Sequence, residues 1–320
     1  MKKRFIKNIL GLTLVEILIS LVVSSMMMAA MYTTYSIVNS TYGQVVNKAQ
    51  ISRNSRDLVE LLIRDIRMAG FKYYLGTNSS NYPEETYLQI PGASNIKDSH
   101  APIVIQEGLD HVSFVETGTA HVTKNTKNNP LDLCCDKIHI VFDDFDQTNP
   151  LQPYKRYKTT YYARPMDDGK DAQGLINPRY AIYKSKISWS QPRANETDSF
   201  PTTGEWIGQL QGCQECYHEQ LIRDYVEDIE FIALDRNGKR LLPFPDPTTA
   251  AGRDNLYKIR SVDIKLSFRS EKDFFRFDSS GQPRKILGFS RTKEDYTDRY
   301  LRDSVVVTVY TRNIVDEGLF

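Results

Sequence analysis

The sequence predicts an α+β fold, in which a long N-terminal helix packs on an antiparallel β-sheet head with long loops. Three observations support this prediction. A membrane-length apolar run lies near the N-terminus, and a helical pattern without proline follows it as far as Phe71. The remaining chain consists of short β-branched runs separated by turn residues. With 320 residues, 40% of them hydrophobic, the chain can bury a core in one or two domains beyond the apolar helix.

The apolar run from Ile17 to Val38 contains no charged residue, proline or glycine. Its roughly 22 residues correspond to about 33 Å of helix, which is enough to cross the hydrocarbon core of a bilayer. Basic residues precede this run at Lys2, Lys3, Arg4 and Lys7. By the positive-inside rule, the N-terminus is therefore expected in the cytoplasm and the rest of the chain outside it.

Glu16 is a lone carboxylate at the start of this apolar region, five residues after Gly11. An ionisable group in hydrocarbon costs a few kcal/mol, so Glu16 needs a compensating partner, and nothing in its own helix is expected to supply one. Cleavage after Gly11 would create an α-amine on Leu12, only about 6 Å along the helix axis from Glu16. The amine of a second, axially shifted copy is equally within reach.

The stretch from Gly11 to Glu16, Gly-Leu-Thr-Leu-Val-Glu, resembles the type IV prepilin signature before its hydrophobic helix. This resemblance implies that a prepilin peptidase cleaves between Gly11 and Leu12 and that Leu12 becomes N-methylated. It also implies that Thr13 and Glu16 act in assembly, where Glu16 meets the N-terminus of a neighbouring subunit. Leu12 departs mildly from the family, in which phenylalanine is the usual first mature residue.

An ordinary signal peptide or signal anchor is the competing interpretation. A secretory signal has its cleavage site after the apolar core, whereas the candidate site here lies before it. The apolar helix is therefore expected to remain in the mature protein as an anchor.

Four segments are expected in order along the chain. They are a basic leader over residues 1–11, a transmembrane helix over 12–38, an amphipathic helix over 39–71 and a β-rich head over 72–320. The apolar stripe expected to dock on the head comprises Val45, Ala49, Leu58, Leu62, Ile66 and Ala69. The polar residues expected to face elsewhere are Arg53, Arg56, Asp57, Arg64 and Arg67. Gly70 suits a C-terminal cap, and a bend is expected within 39–43.

Strand-like patterns occur throughout the predicted head. The predicted strands are 103–106, 111–116, 137–142, 157–163, 179–187, 229–234, 262–268 and 305–310. The predicted loops are 76–101, 117–130, 143–153, 190–215 and 244–255. Asn237-Gly238 predicts a tight hairpin turn after one of these strands.

Later stretches look like the PilW type of minor pilin. They are Arg64 to Phe71, Leu221 to Phe231, Leu256 to Ser270 and Tyr300 to Asn313. The physical alternative is that their apolar residues are simply core strands, and that Asp65 and Arg67 are helix-surface charges rather than interface residues. Within the same fold, a type II secretion pseudopilin of the J type is the alternative family.

The resemblance implies a minor pilin that helps to prime and assemble the type IV pilus at or near the fibre tip, with roles in cell adhesion and twitching motility. The implied partners are the prepilin peptidase, the major pilin, other minor pilins, the pilus assembly platform and the inner membrane. The head is expected in the periplasm first and outside the cell once the pilus has formed.

The cysteines fall into two local pairs, Cys134-Cys135 and Cys213-x-x-Cys216. In a chain delivered to the periplasm, an even number of cysteines predicts disulfides, but links between the pairs and links within them both remain open. A redox pair or a thiolate metal site beside His139 and His218 is the alternative. That alternative would make the chain a membrane-anchored periplasmic thiol or metal protein.

The sequence contains no HExxH, Walker, GxSxG or dinucleotide-binding motif. We therefore expect no enzyme activity, no catalytic residue, no cofactor and no resident metal. The net charge of +1 does not favour a nucleic-acid partner. Asp143, Asp144 and Asp146 are interpreted as a solvated acidic turn rather than a calcium site. The tyrosines at 154, 157, 161 and 162 suggest an adhesive surface or, equally, ordinary exposed strands.

Overall fold

The computed structural model describes residues 13–71, 101–106, 114–116, 119–121, 135–145, 154–166, 179–190, 205–247, 249–273, 284–287, 292–296 and 300–314. The chain divides into two compact units, with the boundary between Gln50 and Ile51. The described residues form a long N-terminal helix followed by antiparallel strands, which confirms the predicted α+β fold class.

Helix α1 is Leu14–Met68, with 55 residues. Among the described residues, it is the helix that is long and apolar enough to cross a membrane. The helix continues without a break through residues 39–43, where a bend was expected. The Thr41 hydroxyl donates to the Ile37 carbonyl at 2.9 Å, so this polar side chain is satisfied within the helix.

The C-terminal end of α1 is capped at Gly70, as predicted. Gly70 has a φ of +75°, a left-handed conformation that glycine adopts without steric cost. Its N–H donates to the Val141 carbonyl at 2.8 Å. A Cβ at this position would lie 3.1 Å from Cγ1 of Ile314, so the close approach of the chain also favours glycine.

The strands and the second helix cover most of the described head. They are β1 Ile103–Gln106, β2 Phe114–Glu116, β3 Thr119–His121, β4 Lys137–Phe145, β5 Tyr154–Met166, β6 Arg179–Ser190, β7 Glu205–Ile207, β8 Tyr217–Leu234, α2 Ala250–Leu256, β9 Ser261–Asp273, β10 Arg284–Leu287, β11 Thr292–Tyr296 and β12 Tyr300–Tyr310. Each predicted strand corresponds to one of these, although residues 111–113 lie outside the described residues. The turn at Asn237-Gly238 is also present, but the chain after it returns through a single bridge between Arg240 and Leu234.

Parts of the predicted loops are regular structure. They contain β3, the end of β4, β7 and α2. Contacts with distant residues explain two of these errors. Trp206 of β7 packs edge-on against Trp189 of β6, with 5.2 Å between the ring centroids. Asp143 at the end of β4 pairs with Arg156 of β5. The α2 helix begins at an N-cap, where the Thr249 hydroxyl accepts from the Gly252 N–H at 3.0 Å.

The main sheet is antiparallel and has the order β1-β4-β5-β6-β8-β9-β12, with β7 paired to β6. Strand β8 is long because it pairs with β6 along its first part and with β9 along its second part. The register shifts where the two parts meet, and Tyr225 has a φ of 60° there. The sequence predicted only the second part of β8, where β-branched and apolar residues dominate.

The outer part of α1 packs against the sheet. The buried residues of α1 are Ile51, Ser55, Leu58, Val59, Leu62, Asp65 and Ile66. Fully burying a leucine or isoleucine is worth about 1.5–3 kcal/mol, so Leu58, Leu62 and Ile66 contribute strongly to this packing. Val45 and Ala49 were predicted to dock as well, but both are exposed. The first buried residue of α1 is Ile51. The polar residues predicted to face elsewhere are all exposed.

Candidate assembly site

The first turn of α1 is a capping box formed by Thr13 and Glu16. The Glu16 N–H donates to Oγ1 of Thr13 at 3.3 Å, and the Thr13 N–H donates to Oε2 of Glu16 at 3.0 Å. The Thr13 hydroxyl also donates to Oε2 of Glu16, at 3.0 Å. This reciprocal arrangement satisfies backbone donors that every helix start leaves open.

Glu16 therefore has a local hydrogen-bond partner that the sequence analysis did not expect, although Thr13 supplies no compensating charge. Thr13 lies one turn before the carboxylate, which is the spacing of a capping box. The two hydrogen bonds that Thr13 donates to the Glu16 carboxylate are both accepted by Oε2. Oε1 of Glu16 has no hydrogen-bond partner among the described residues. The predicted cleavage and methylation residues, Gly11 and Leu12, lie outside the described residues.

The inner part of α1 exposes a continuous apolar surface. Its large exposed hydrophobic residues are Leu14, Val15, Ile17, Leu18, Ile19, Leu21, Val22, Val23, Met26, Met27, Met28, Met31, Tyr32, Tyr35, Ile37, Val38, Tyr42, Val45 and Val46. Soluble monomers rarely expose so large a contiguous apolar surface, so its most apolar stretch, over residues 14–35, requires a lipid or protein environment.

A buried ionic cluster joins the outer part of α1 to the sheet. Nζ of Lys184 on β6 lies 2.6 Å from Oδ2 of Asp65, and the Tyr161 hydroxyl on β5 donates to the same oxygen at 2.7 Å. Burial and the nearby Asp65 carboxylate both raise the pKa of Tyr161. Burial is the main cause that raises the pKa of Tyr217 to about 12, and the Asp65 carboxylate adds to this effect. Asp65 is 4% exposed, so its interpretation as a helix-surface charge was wrong.

A second set of a tyrosine, a lysine and a carboxylate lies beside this cluster. The Tyr157 hydroxyl donates to Oε2 of Glu215 at 3.2 Å, and Nζ of Lys186 lies 3.7 Å from that oxygen. Nζ of Lys186 also lies 3.9 Å from the centroid of the Tyr157 ring. Glu215 belongs to the loop that precedes β8, so this second set attaches that loop to the sheet as the first set attaches α1.

Two further contacts hold the outer part of α1. Asp57 pairs with Arg223 of β8 at the surface. The Asn313 amide donates to the Arg67 carbonyl at 2.9 Å, so the end of the helix contacts the segment after β12. The segments 64–71 and 300–313, which the sequence analysis singled out, therefore meet at this point. The Arg67 side chain itself is exposed, in agreement with the surface-charge interpretation.

The structure contains a disulfide between Cys213 and Cys216, with 5.3 Å between their Cα atoms. Of the connectivities left open by the sequence, the local one is thus present for this pair. Cys135 is buried and disulfide-bonded as well, whereas Cys134 lies outside the described residues. In a disulfide neither sulfur is a thiolate, so Cys213 and Cys216 are not metal ligands in this form.

The two histidines considered as metal ligands have different neighbours. Nδ1 of His139 on β4 lies 2.8 Å from the Thr160 hydroxyl. Burial, with Lys137 and Lys158 nearby, lowers the pKa of His139 well below its usual value. The His218 ring lies against Gly208, where a Cβ would come within 2.3 Å of its Cε1. Within the described ranges, no group of three or more histidine, cysteine or acidic residues has metal-binding geometry.

Two interpretations of the head surface were wrong. Asp143 is not in a solvated turn, because it is fully buried and accepts from Nε of Arg156 at 2.7 Å. Asp146 lies outside the described residues. Tyr157 and Tyr161 do not form an adhesive surface, because both are buried and bonded to carboxylates.

Sequence reasoning missed the roles of Lys184 and Lys186. Both lie on β6 at alternate positions, so they point to the same face as the tyrosines of β5 with which they interact. The alternation of lysine with other residues in Tyr183-Lys-Ser-Lys-Ile187 was a usable signal for a shared face. It did not indicate which carboxylates would meet these lysines.

No protein-family model matches the sequence, and no curated protein sequence is significantly similar to it. Among solved structures, the chain is similar to a type IV-like pilin from Thermus thermophilus. The identity is 10%, the TM-score is 0.38, and the match covers 83% of this chain and 98% of that chain. At this level of similarity, the match assigns neither a family nor a function to the chain.

Proposed function

We propose that this chain is a minor pilin of the PilW type, which is anchored in the inner membrane and takes part in priming and assembling a type IV pilus at or near its tip. The observation that carries this proposal is the first turn of α1. There Glu16 lies in a prepilin-like sequence, at the start of an exposed apolar helix, with one carboxylate oxygen bound by Thr13 and the other without a partner among the described residues.

The half-satisfied carboxylate suits a role between subunits. Oε2 of Glu16 is occupied by the capping box, which orients the side chain. Oε1 is then available to accept a hydrogen bond from the α-amine that cleavage before Leu12 would create on a neighbouring subunit. A charged pair of this kind is worth more in a low-dielectric surrounding, so it would set the axial stagger between neighbouring helices.

The cellular course follows from the same proposal. The prepilin peptidase cleaves between Gly11 and Leu12 and methylates Leu12, the N-terminus lies in the cytoplasm, and the head lies in the periplasm. The chain then associates with the major pilin, other minor pilins and the assembly platform, and the head becomes extracellular in the fibre. Its role is structural rather than enzymatic, and it carries adhesion or twitching motility only through the assembled pilus.

Processing is tested by mass spectrometry of the mature protein from the native cell. We expect a methylated N-terminus at Leu12, and a bulky replacement such as Gly11→Leu should block cleavage. Recovery of an intact Met1 terminus from assembled fibres would overturn the proposal, as would normal processing of the Gly11→Leu variant.

The assembly role of the charge is tested with Glu16→Gln and Glu16→Ala. Glutamine preserves the capping box but removes the charge, whereas alanine removes both. We expect both variants to insert in the membrane and both to be depleted from isolated pili. Wild-type incorporation of Glu16→Gln would show that charge pairing does not drive assembly.

Two alternatives are separated by simple measurements. A J-type pseudopilin would fractionate with a type II secretion system rather than with pili, although the large head with its many predicted loops favours the pilus. A membrane-anchored thiol or metal protein would show titratable thiols or bound metal in the purified protein. The disulfide between Cys213 and Cys216 favours a structural role for that pair.

A further inference from the structure

The uncharged part of α1 is longer than a membrane requires. No charged residue occurs between Glu16 and Lys48, and this stretch of helix extends over about 46 Å at 1.5 Å per residue. The hydrocarbon core of a bilayer is only about 30 Å thick. Charge alone therefore does not determine where the helix leaves the hydrocarbon.

The polar side chains of α1 divide into two groups along its length. Before Tyr32, the serine hydroxyls at positions 20, 24 and 25 donate to backbone carbonyls of the same helix, at 2.7–2.9 Å. Such internally bonded hydroxyls are compatible with hydrocarbon. After Tyr35 come the carboxamides of Asn39, Gln44 and Asn47, and the Asn39 side chain is exposed.

The carboxamides favour water over hydrocarbon. None of these three side chains has a hydrogen bond to another described residue. Transfer of an unbonded amide from water to an apolar medium costs about 2–7 kcal/mol, depending on the reference state. The helix should therefore have left the hydrocarbon before Asn39.

Two tyrosines lie at the transition between these groups. Tyr32 and Tyr35 are 73% and 70% exposed, and their spacing of three residues places them on neighbouring parts of one helix face. Tyrosine has an apolar ring and a polar hydroxyl, and it is enriched at the level of lipid headgroups. From Leu14 to Tyr35 the helix rises about 32 Å, which matches the thickness of a bilayer core.

We infer that Tyr32 and Tyr35 bind the headgroup region of the outer leaflet, so that the hydrocarbon-spanning part of α1 ends there and residues 36–50 lie in water. This inference rests on the proposed membrane anchoring. It makes the span shorter than the 12–38 segment expected from apolarity, because Ile37 and Val38 then lie beyond the boundary. Lipid is the partner that fits this pair, since the pair combines exposed aromatic rings with hydroxyls at one depth.

Single-cysteine labelling of the full chain tests the boundary. Ala29→Cys, Ile37→Cys and Thr41→Cys would be placed separately in vesicles of phosphatidylethanolamine and phosphatidylglycerol, with the head outside. A membrane-impermeant maleimide is the probe, and Leu210→Cys at an 86% exposed site is the reference for full labelling. The described cysteines are disulfide-bonded, so the unsubstituted chain gives the background.

We expect Ile37→Cys and Thr41→Cys to react as completely as Leu210→Cys, and Ala29→Cys to stay unlabelled. Protection of Ile37→Cys would overturn the inference, because the span would then extend to Val38 or further. Labelling of all three sites would instead contradict membrane anchoring and thus the proposed function.

The role of the tyrosines is tested in the Ile37→Cys background. Replacing both Tyr32 and Tyr35 with leucine should let the helix move deeper and remove most of the labelling at position 37. Replacing both with tryptophan should preserve the labelling, because tryptophan favours the same interface. Tyr42→Leu is the matched control and should change nothing. Unchanged labelling in the double-leucine variant would overturn the inference.

Discussion

The Asp65 carboxylate of α1 lies 2.6 Å from the Lys184 ammonium of β6, and both side chains are less than 10% exposed. The Tyr161 hydroxyl donates to the same carboxylate oxygen. A buried charge pair of this kind adds little net stability over an apolar pair, but it is costly to break. It therefore permits only the packing of α1 on the sheet in which the two charges meet.

We predict that Lys184→Met destabilises the protein by up to about 3–5 kcal/mol, because the buried Asp65 carboxylate then keeps as its cation only the exposed Arg64, whose Nε lies 3.2 Å from Oδ1. The double variant Asp65→Leu with Lys184→Met should recover much of this loss, since no charge is then buried. Denaturant unfolding of the full chain in detergent, followed by the fluorescence of Trp189 and Trp206, measures the change.

Lys186→Met is the matched control for this prediction. Its partner Glu215 has a side chain that is 37% exposed, so the loss should be no more than about 1 kcal/mol. Equal losses for Lys184→Met and Lys186→Met would contradict the assignment of a special role to the buried pair.

Stability should fall as the pH drops below about 6.5, the ordinary pKa of histidine. The folded protein holds His139 neutral because burial and neighbouring lysines lower its pKa, whereas the unfolded chain binds the proton. The unfolded state thus gains protons first, and each pH unit in this window costs up to about 1.4 kcal/mol. A series of unfolding curves between pH 7 and pH 5 measures this slope.

His139→Gln isolates this contribution, because glutamine can bond to Thr160 but does not titrate in that range. We expect the variant to have a flatter dependence of stability on pH than the original chain. Parallel curves for the two proteins would exclude His139 as the titrating group.

Gly208→Ala should destabilise the loop before β8. A Cβ there would lie 2.3 Å from Cε1 of His218, a distance that forces the ring or the backbone to move. Overpacking of this kind usually costs about 1–3 kcal/mol. Unfolding free energies of Gly208→Ala, His218→Ala and the double variant measure the coupling.

The double variant should be less affected by the added methyl group than the original chain, because the clashing ring is absent. Gly43→Ala is a useful contrast, since nothing lies within 4 Å of its Cβ position and alanine favours the helix. Additive losses for positions 208 and 218 would contradict the proposed contact.

Thr13→Ser should preserve the function of the first turn, whereas Thr13→Val should impair it. Serine retains the hydroxyl that accepts from the Glu16 N–H and donates to its carboxylate, and valine retains only the shape. Loss of an N-cap costs about 0.5–2 kcal/mol of helix stability. Quantitative immunoblotting of isolated pili against total membrane measures incorporation.

Membrane insertion serves as the control in this experiment, because both variants retain the apolar helix. Thr13→Val should insert normally and still be depleted from fibres relative to Thr13→Ser. Equal incorporation of the two variants would show that the capping hydroxyl has no part in assembly.

Local patterns in the sequence predicted the elements well. The period of the apolar residues correctly predicted that Leu58, Leu62 and Ile66 form the docked face of a helix, and the glycine at position 70 correctly predicted its end. The predicted strands were found because β-branched alternation depends on neighbouring residues. The three-residue spacing of Thr13 and Glu16 also indicates a capping box, which the sequence analysis did not predict.

Local patterns could not predict contacts between residues that are far apart in the chain. The regular structure at β7 and at the end of β4 depends on Trp189 and Arg156, which lie on other strands. The start of the docked face at Ile51, rather than at Val45, likewise depends on where the sheet meets the helix.

By itself, the sequence determined most of the segments that become helix or strand, which end carries the long apolar helix, and which face of its outer part is buried. Those properties follow from the spacing of side chains along a short stretch of chain. Only the tertiary structure decided that Asp65 meets Lys184 and Tyr161, and that Cys213 bonds to Cys216. The Asp65 contacts depend on the order of strands in the sheet, which brings together residues that are far apart in the chain. The Cys213–Cys216 bond is local, but it was one of several pairings that the cysteine spacing allowed.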